Sequence, residues 1–148
     1  MSASSGGNTL VVRKRIPVSR EEVFDAWIDP QGMRIWMCPG NVLAADVRMD
    51  PRVGGSLLII MRNNEETFEH RGQFTIVDRP AKLAFTWISD ATDSRPTLVT
   101  VEFLALADNQ TELVLTHEKF PRAEARDQYR GGWSQIVNQL EEHLHRKH

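Results

Sequence analysis

The spacing of apolar and polar positions changes period along the chain, and each change marks an element. From Asn8 to Pro17, Leu10, Val12 and Ile16 share one parity while Arg13 and Arg15 take the other, the alternation of a half-buried strand. Pro17 ends it. Ser19 then stands three residues before Glu22, with Val18 and Val23 at the flanking staple positions, so the spacing predicts a capped helix start. This helix carries Val23, Phe24, Trp27 and Ile28 on one face. Asp29-Pro30 closes it and opens a second short helix, capped by Asp29, that carries Met33, Trp36 and Met37.

Between Val42 and His117 the period returns to two. Strands are predicted over 42–49, 56–62, 67–77, 82–89, 97–106 and 112–118, separated by short segments rich in Pro, Gly, Asn and Asp. Links this short make neighbouring strands antiparallel. Parity assigns Phe68, His70, Gly72, Phe74 and Ile76 to the inner face of one strand. Val99, Val101 and Phe103 face inward on the next-to-last strand, and Leu113, Leu115 and His117 on the last. The run from Leu57 to Met61 is apolar on both parities; it gives no choice of face and is a candidate contact surface. From Pro121 onward, Tyr129, Trp133, Ile136, Val137, Leu140 and Leu144 recur at three- and four-residue spacing, which predicts a long amphipathic helix lying across the sheet. Gly131-Gly132 sits inside it against helix propensity, so a ligand or the strand wall is expected to approach the backbone there.

Composition narrows the class. The 148 residues suit one domain, expected over 9–148 after a small polar tail over 1–8. Lysine plus arginine number 18 against 20 acidic residues, so the basic footprint of a nucleic-acid or anionic-membrane binder is missing. No apolar run approaches the length of a membrane span, and the first residues lack the pattern of an export signal. A single cysteine suits a reducing compartment, so a cytoplasmic location is expected, and Asn109-Gln110-Thr111 reads as a turn rather than a glycosylation site.

Strand, two short helices, six strands and a closing helix is the order of an α+β helix-grip fold. Several segments carry a family resemblance: Ser19 to Trp27 with Asp29-Pro30, Trp36-Met-Cys-Pro39, Asp50-Pro-Arg-Val-Gly-Gly55, His70-Arg-Gly72, Pro80 to Trp87, Leu98 to Phe103, Thr111 to His117 and Gly132-Trp133. In these, from about residue 9 to 145, the chain resembles the activator-of-heat-shock-protein-ATPase-homologue-like branch of the START-like (SRPBCC, birch-pollen-allergen-like) superfamily. The resemblance implies a curved antiparallel sheet gripping the last helix around a cavity that in relatives takes apolar or amphipathic molecules. It implies no reaction and no cofactor. Met37-Cys38 departs from the family pattern, where a second aromatic and a small residue are frequent.

Few residues offer chemistry. His70 and His117 lie on the inward parity of different strands, with two strands expected between them, too far apart to share a metal. Each is read as a satisfied core or rim histidine, with acid–base work as the alternative. Cys38, beside Trp36 and Pro39, has only His117 or Arg34 as helpers and reads as a packed thiol. His143, His145 and His148 read as a solvated helix end. No catalytic set and no metal site can be nominated. The expected ligand-binding residues are Trp36, Phe74, Phe85, Trp87, Val101, Phe103, His117 and Trp133, around a small apolar or amphipathic molecule. An enzyme of the cyclase, dehydratase or hydrolase kind using a cavity histidine, and an interaction module with a chaperone partner, stand as alternatives, and a weak homodimer is left open.

Overall fold

The computed structural model describes residues 8–107 and 109–147; the first seven residues of the tail expected over 1–8 and His148 lie outside the described residues. β1 (Leu10–Ile16) is followed by α1 (Arg20–Trp27) and α2 (Pro30–Trp36). Then come β2 (Ala44–Met49), β3 (Ser56–Arg62), β4 (Thr67–Asp78), β5 (Lys82–Trp87), a single 3-10 turn (Asp90–Thr92), β6 (Thr97–Leu106) and β7 (Gln110–Glu118). α3 (Ala123–Arg146) closes the chain. All strands join one antiparallel sheet in the order β1-β7-β6-β5-β4-β3-β2, curled around α3: the α+β helix-grip architecture.

The helix starts follow their sequence signals in part. Ser19 is the N-cap of α1, its Oγ accepting from the Glu22 amide at 3.4 Å, and both Val18 and Val23 are buried. Asp29 occupies the N-cap of α2 ahead of Pro30, but its side chain makes no capping bond.

Inner-face parity holds across the sheet up to a bulge in β4. Leu10, His117, Val99, Phe85 and Phe74 form one register-matched row over five strands, all buried. The ambiguous run resolves in the same way: Leu57, Ile59 and Met61 point inward, while Leu58 and Ile60 are half-buried on the outer face. There Leu58 sits between Arg48 and Arg71, and Ile60 between Asp46 and Glu69, in register. The stems of such long charged side chains cover outward apolar groups. Lys14, on the apolar parity of β1, reaches Glu141 of α3 at 3.0 Å.

One expected inward residue is corrected. The β4–β5 register shifts between Phe74 and Ile76, and this bulge reverses the parity beyond it. Ile76 is therefore exposed, and Val77 packs on the core in its place. Gly72 lies just before the bulge, where a Cβ would run into the Thr86 carbonyl; only glycine lets β4 come this close to β5. A second correction concerns the helix end. α3 continues to Arg146, and His143 is half-buried with its Nε2 sealed from water and unpartnered, so that nitrogen is not solvated, whereas His145 is exposed as expected.

Candidate functional site

Curvature leaves a cavity of about 240 Å³ between one end of the sheet and the first half of α3. Met61 of β3, Phe68 and His70 of β4 and Trp87 of β5 form the sheet wall. Gln128, Tyr129, Gly132, Trp133 and Ile136 form the helix wall. Pro39 and Val42, between α2 and β2, close one side, and Ala91 of the 3-10 turn borders the other. A depression of about 350 Å³ beside Pro17 is bordered by Glu141, Glu142, His145 and Arg146; it lacks convergent aromatic walls.

Hydrogen bonds hold the large rings in place. The Trp87 indole N–H donates to the Tyr129 hydroxyl at 3.0 Å, and that hydroxyl shares a 2.7 Å bond with Ser89. The Trp133 indole N–H donates to His117 Nδ1 at 3.0 Å. Nδ1 is thus the acceptor, which places the imidazole proton on Nε2, 2.7 Å from Thr97 Oγ1. Thr97 in turn donates to the Trp87 carbonyl at 2.6 Å. Every polar atom of the His117 ring is engaged, and burial holds its pKa down at about 3. It is neutral at physiological pH and has no free nitrogen for acid–base work.

His70 differs. Its ring lines the cavity, retains 8% exposure and packs 5.0 Å from the Trp87 ring. Burial lowers its pKa, partly offset by the Ile59 carbonyl, 3.3 Å from Nδ1, by the charges of Asp90 and Glu69, and by the Phe68 carbonyl. With Nδ1–H directed at that carbonyl, Nε2 of the neutral ring is a lone-pair acceptor. Of the two inward histidines, His70 alone reaches the cavity. Desolvation raises the Tyr129 hydroxyl against its bonds to Ser89 and Trp87, so it is protonated.

Of the eight expected ligand-binding residues, Trp87 and Trp133 line the cavity. Trp36, Phe74, Phe85, Val101, Phe103 and His117 are instead fully packed in the core. His117 is enclosed by Phe120, Tyr129 and Trp133. For the aromatic residues the physical reason is α1, which fills the other half of the grip: Phe24 meets Phe103 edge-on at 5.3 Å, and Trp27 meets Trp36 at 5.0 Å. Phe74 and Phe85 close the gap between with a T-shaped contact at 5.9 Å. Pro39, Val42, Met61, Phe68, Ala91, Gln128, Tyr129 and Ile136 line the cavity without belonging to the expected set. The spacing 128, 129, 132, 133, 136 traces one stripe of α3, a signal that could have found the helix wall.

The glycine pair is explained by space. A Cβ on Gly131 would meet nothing within 4 Å, and one on Gly132 would meet only Pro39 Cβ at 3.9 Å, so no strand presses on the helix there. Gly132 opens the cavity wall instead. Cys38, half-buried, donates weakly to the Arg34 carbonyl at 3.6 Å, and burial raises its pKa, so the thiol stays protonated. Among the described residues no three His, Cys, Asp or Glu side chains converge on a metal position, and no helix is long and apolar enough to cross a membrane.

A curled sheet gripping a C-terminal helix beside an aromatic cavity defines a START-like protein. The chain belongs to the family described as Activator of Hsp90 ATPase homolog 1-like protein, whose model matches residues 17–145. A solved protein of Nitrosomonas europaea superposes with a TM-score of 0.81 at 22% identity, over 95% of this chain and 96% of its own. One from Chromobacterium violaceum gives 0.82 at 21%, over 90% and 94%. The AHSA1 protein of Silicibacter pomeroyi gives 0.77 at 24%, over 95% and 99%. At these identities the likeness speaks to the fold alone. Comparison with curated proteins returns no significant match.

Proposed function

We propose that this chain is a single-domain, cytoplasmic binding protein that holds a small apolar or amphipathic molecule between the sheet and α3. The observation that carries this reading is the cavity itself: rings and aliphatic groups on both walls, with His70, Tyr129 and Gln128 as its polar points. Apolar walls give affinity and a few fixed polar groups orient the ligand. Trp87 and Trp133 belong to the ligand-binding set, and the other expected residues support it from the core.

The test is a screen of one- and two-ring compounds by two-dimensional NMR, read at the indole N–H signals of Trp87 and Trp133. Saturable shifts at these signals support the reading. If no compound moves them, the cavity is a packing feature, and an interaction with a chaperone ATPase becomes the better account of the family membership.

A further inference from the structure

We infer that the cavity selects an uncharged one- or two-ring molecule carrying a hydrogen-bond donor, and that His70 is the residue that reads the donor. The inference rests on the small-molecule reading above and adds the chemistry of the ligand.

Size comes first. A buried apolar space of about 150 Å³ holds a benzene ring, and two fused rings need roughly half as much again. The 240 Å³ here matches that larger class, and its tryptophan, tyrosine and phenylalanine walls favour flat rings.

Charge comes second. None of the residues lining the cavity is Lys, Arg, Asp or Glu. A carboxylate entering it would shed water without gaining a counter-charge. An ammonium would likewise find no carboxylate on the wall, and the aromatic faces would offset only part of the water it sheds.

The polar points then divide unequally. Gln128 is exposed and its amide stays hydrated, while Tyr129 already accepts from Trp87 and bonds Ser89, which uses most of its capacity within the protein. His70 has directed its single proton to the Ile59 carbonyl, so its remaining nitrogen can only accept. An apolar wall with an imidazole lone pair in it calls for a ligand O–H or N–H.

The experiment compares four probes of one shape at neutral pH: 2-naphthol, naphthalene, 2-naphthoate and 2-naphthylmethylammonium. Dissociation constants come from tryptophan fluorescence with the full chain, and from the same titrations on His70→Phe. The expected result is that 2-naphthol binds about 10-fold more tightly than naphthalene, and at least about 10-fold more tightly than either ion. In His70→Phe, 2-naphthol falls to the affinity of naphthalene while naphthalene itself is unchanged, which also shows that the variant is folded. If 2-naphthoate or the ammonium binds as well as 2-naphthol, or if 2-naphthol is indifferent to His70→Phe, the inference is overturned and the cavity remains a binding site of other selectivity. If none of the four binds, both the inference and the small-molecule reading fail. Where the variant does not fold, the wild-type ranking still decides the selectivity, and a shift of the His70 Nε2 nitrogen signal with 2-naphthol but not with naphthalene decides the role of His70. The absence of that shift overturns it.

Discussion

Trp133 gives its indole proton to Nδ1 of His117, and that one bond couples the cavity wall to the buried centre of the sheet. The indole reaches from α3 and the imidazole from β7; Thr97 of β6 then continues the chain to the backbone of β5. Three strands and the helix are thereby held by a single neutral histidine. Protonation would set Nδ1–H against the indole N–H, so the linkage persists only while the ring is uncharged.

Stability should therefore fall in acid. The folded pKa of His117, about 3, lies below the ordinary histidine value of 6.5, so between these limits the unfolded chain binds the extra proton. Stability from this group is complete above pH 6.5 and is lost as pH falls toward 3, at up to about 1.4 kcal/mol per pH unit. Urea titrations at several pH values measure it, and His117→Phe should flatten the dependence between pH 4 and 6.5. That variant also leaves Trp133 Nε1 unpaired and should cost on the order of 3 kcal/mol at neutral pH.

Gly131→Ala should raise stability by about 0.5–1 kcal/mol, since an added methyl meets nothing within 4 Å and helix propensity improves. Gly132→Ala should stabilise similarly yet weaken ring binding several-fold, because its methyl enters the cavity wall. Thermal melts and 2-naphthol titrations on both variants separate the two effects. A loss of stability in Gly132→Ala would show that the helix packs more tightly there than the structure indicates.

Gly72→Ala should behave in the opposite sense. The new Cβ would fall on the Thr86 carbonyl of the neighbouring strand, so the β4–β5 pairing must open. A destabilisation of roughly 3 kcal/mol or more is expected, read by denaturant unfolding.

The ion pair between Arg79 and Asp25 tethers the β4–β5 turn to α1 through two hydrogen bonds, at 2.7 and 2.9 Å. The Arg79 guanidinium holds the Asp25 carboxyl below its usual range, so this contribution is present above about pH 4 and lost as pH falls through the folded value. Both groups are about half exposed, and Asp25→Asn should cost under about 1 kcal/mol, shrinking in high salt.

The strand parities and helix faces were legible because burial on one side imposes a period, and the strand limits over Ser56–Arg62 and Thr97–Leu106 follow it. Ile76 was misread because a bulge is set by pairing with a neighbouring strand, which a single strand's alternation does not encode. The site was harder still. Phe74 has the same parity as the wall residues Phe68 and His70, and Phe103 faces the same concave side; what removes them from the cavity is the docking of α1 against the far half of the sheet. Which part of a concave face stays empty depends on how the aromatic rings of three elements meet. That is a property of volume, and periodicity does not carry it.

The most direct test of the account is where a bound ring sits. In isotope-filtered NMR on the full chain with 2-naphthol, the account predicts intermolecular contacts to the Met61 methyl, the Phe68 ring, the Ile136 methyls and the Trp133 indole, residues from three elements that share only this cavity. Contacts confined to surface residues such as Ile35 or Leu43, with none to Met61 or Trp133, would contradict it.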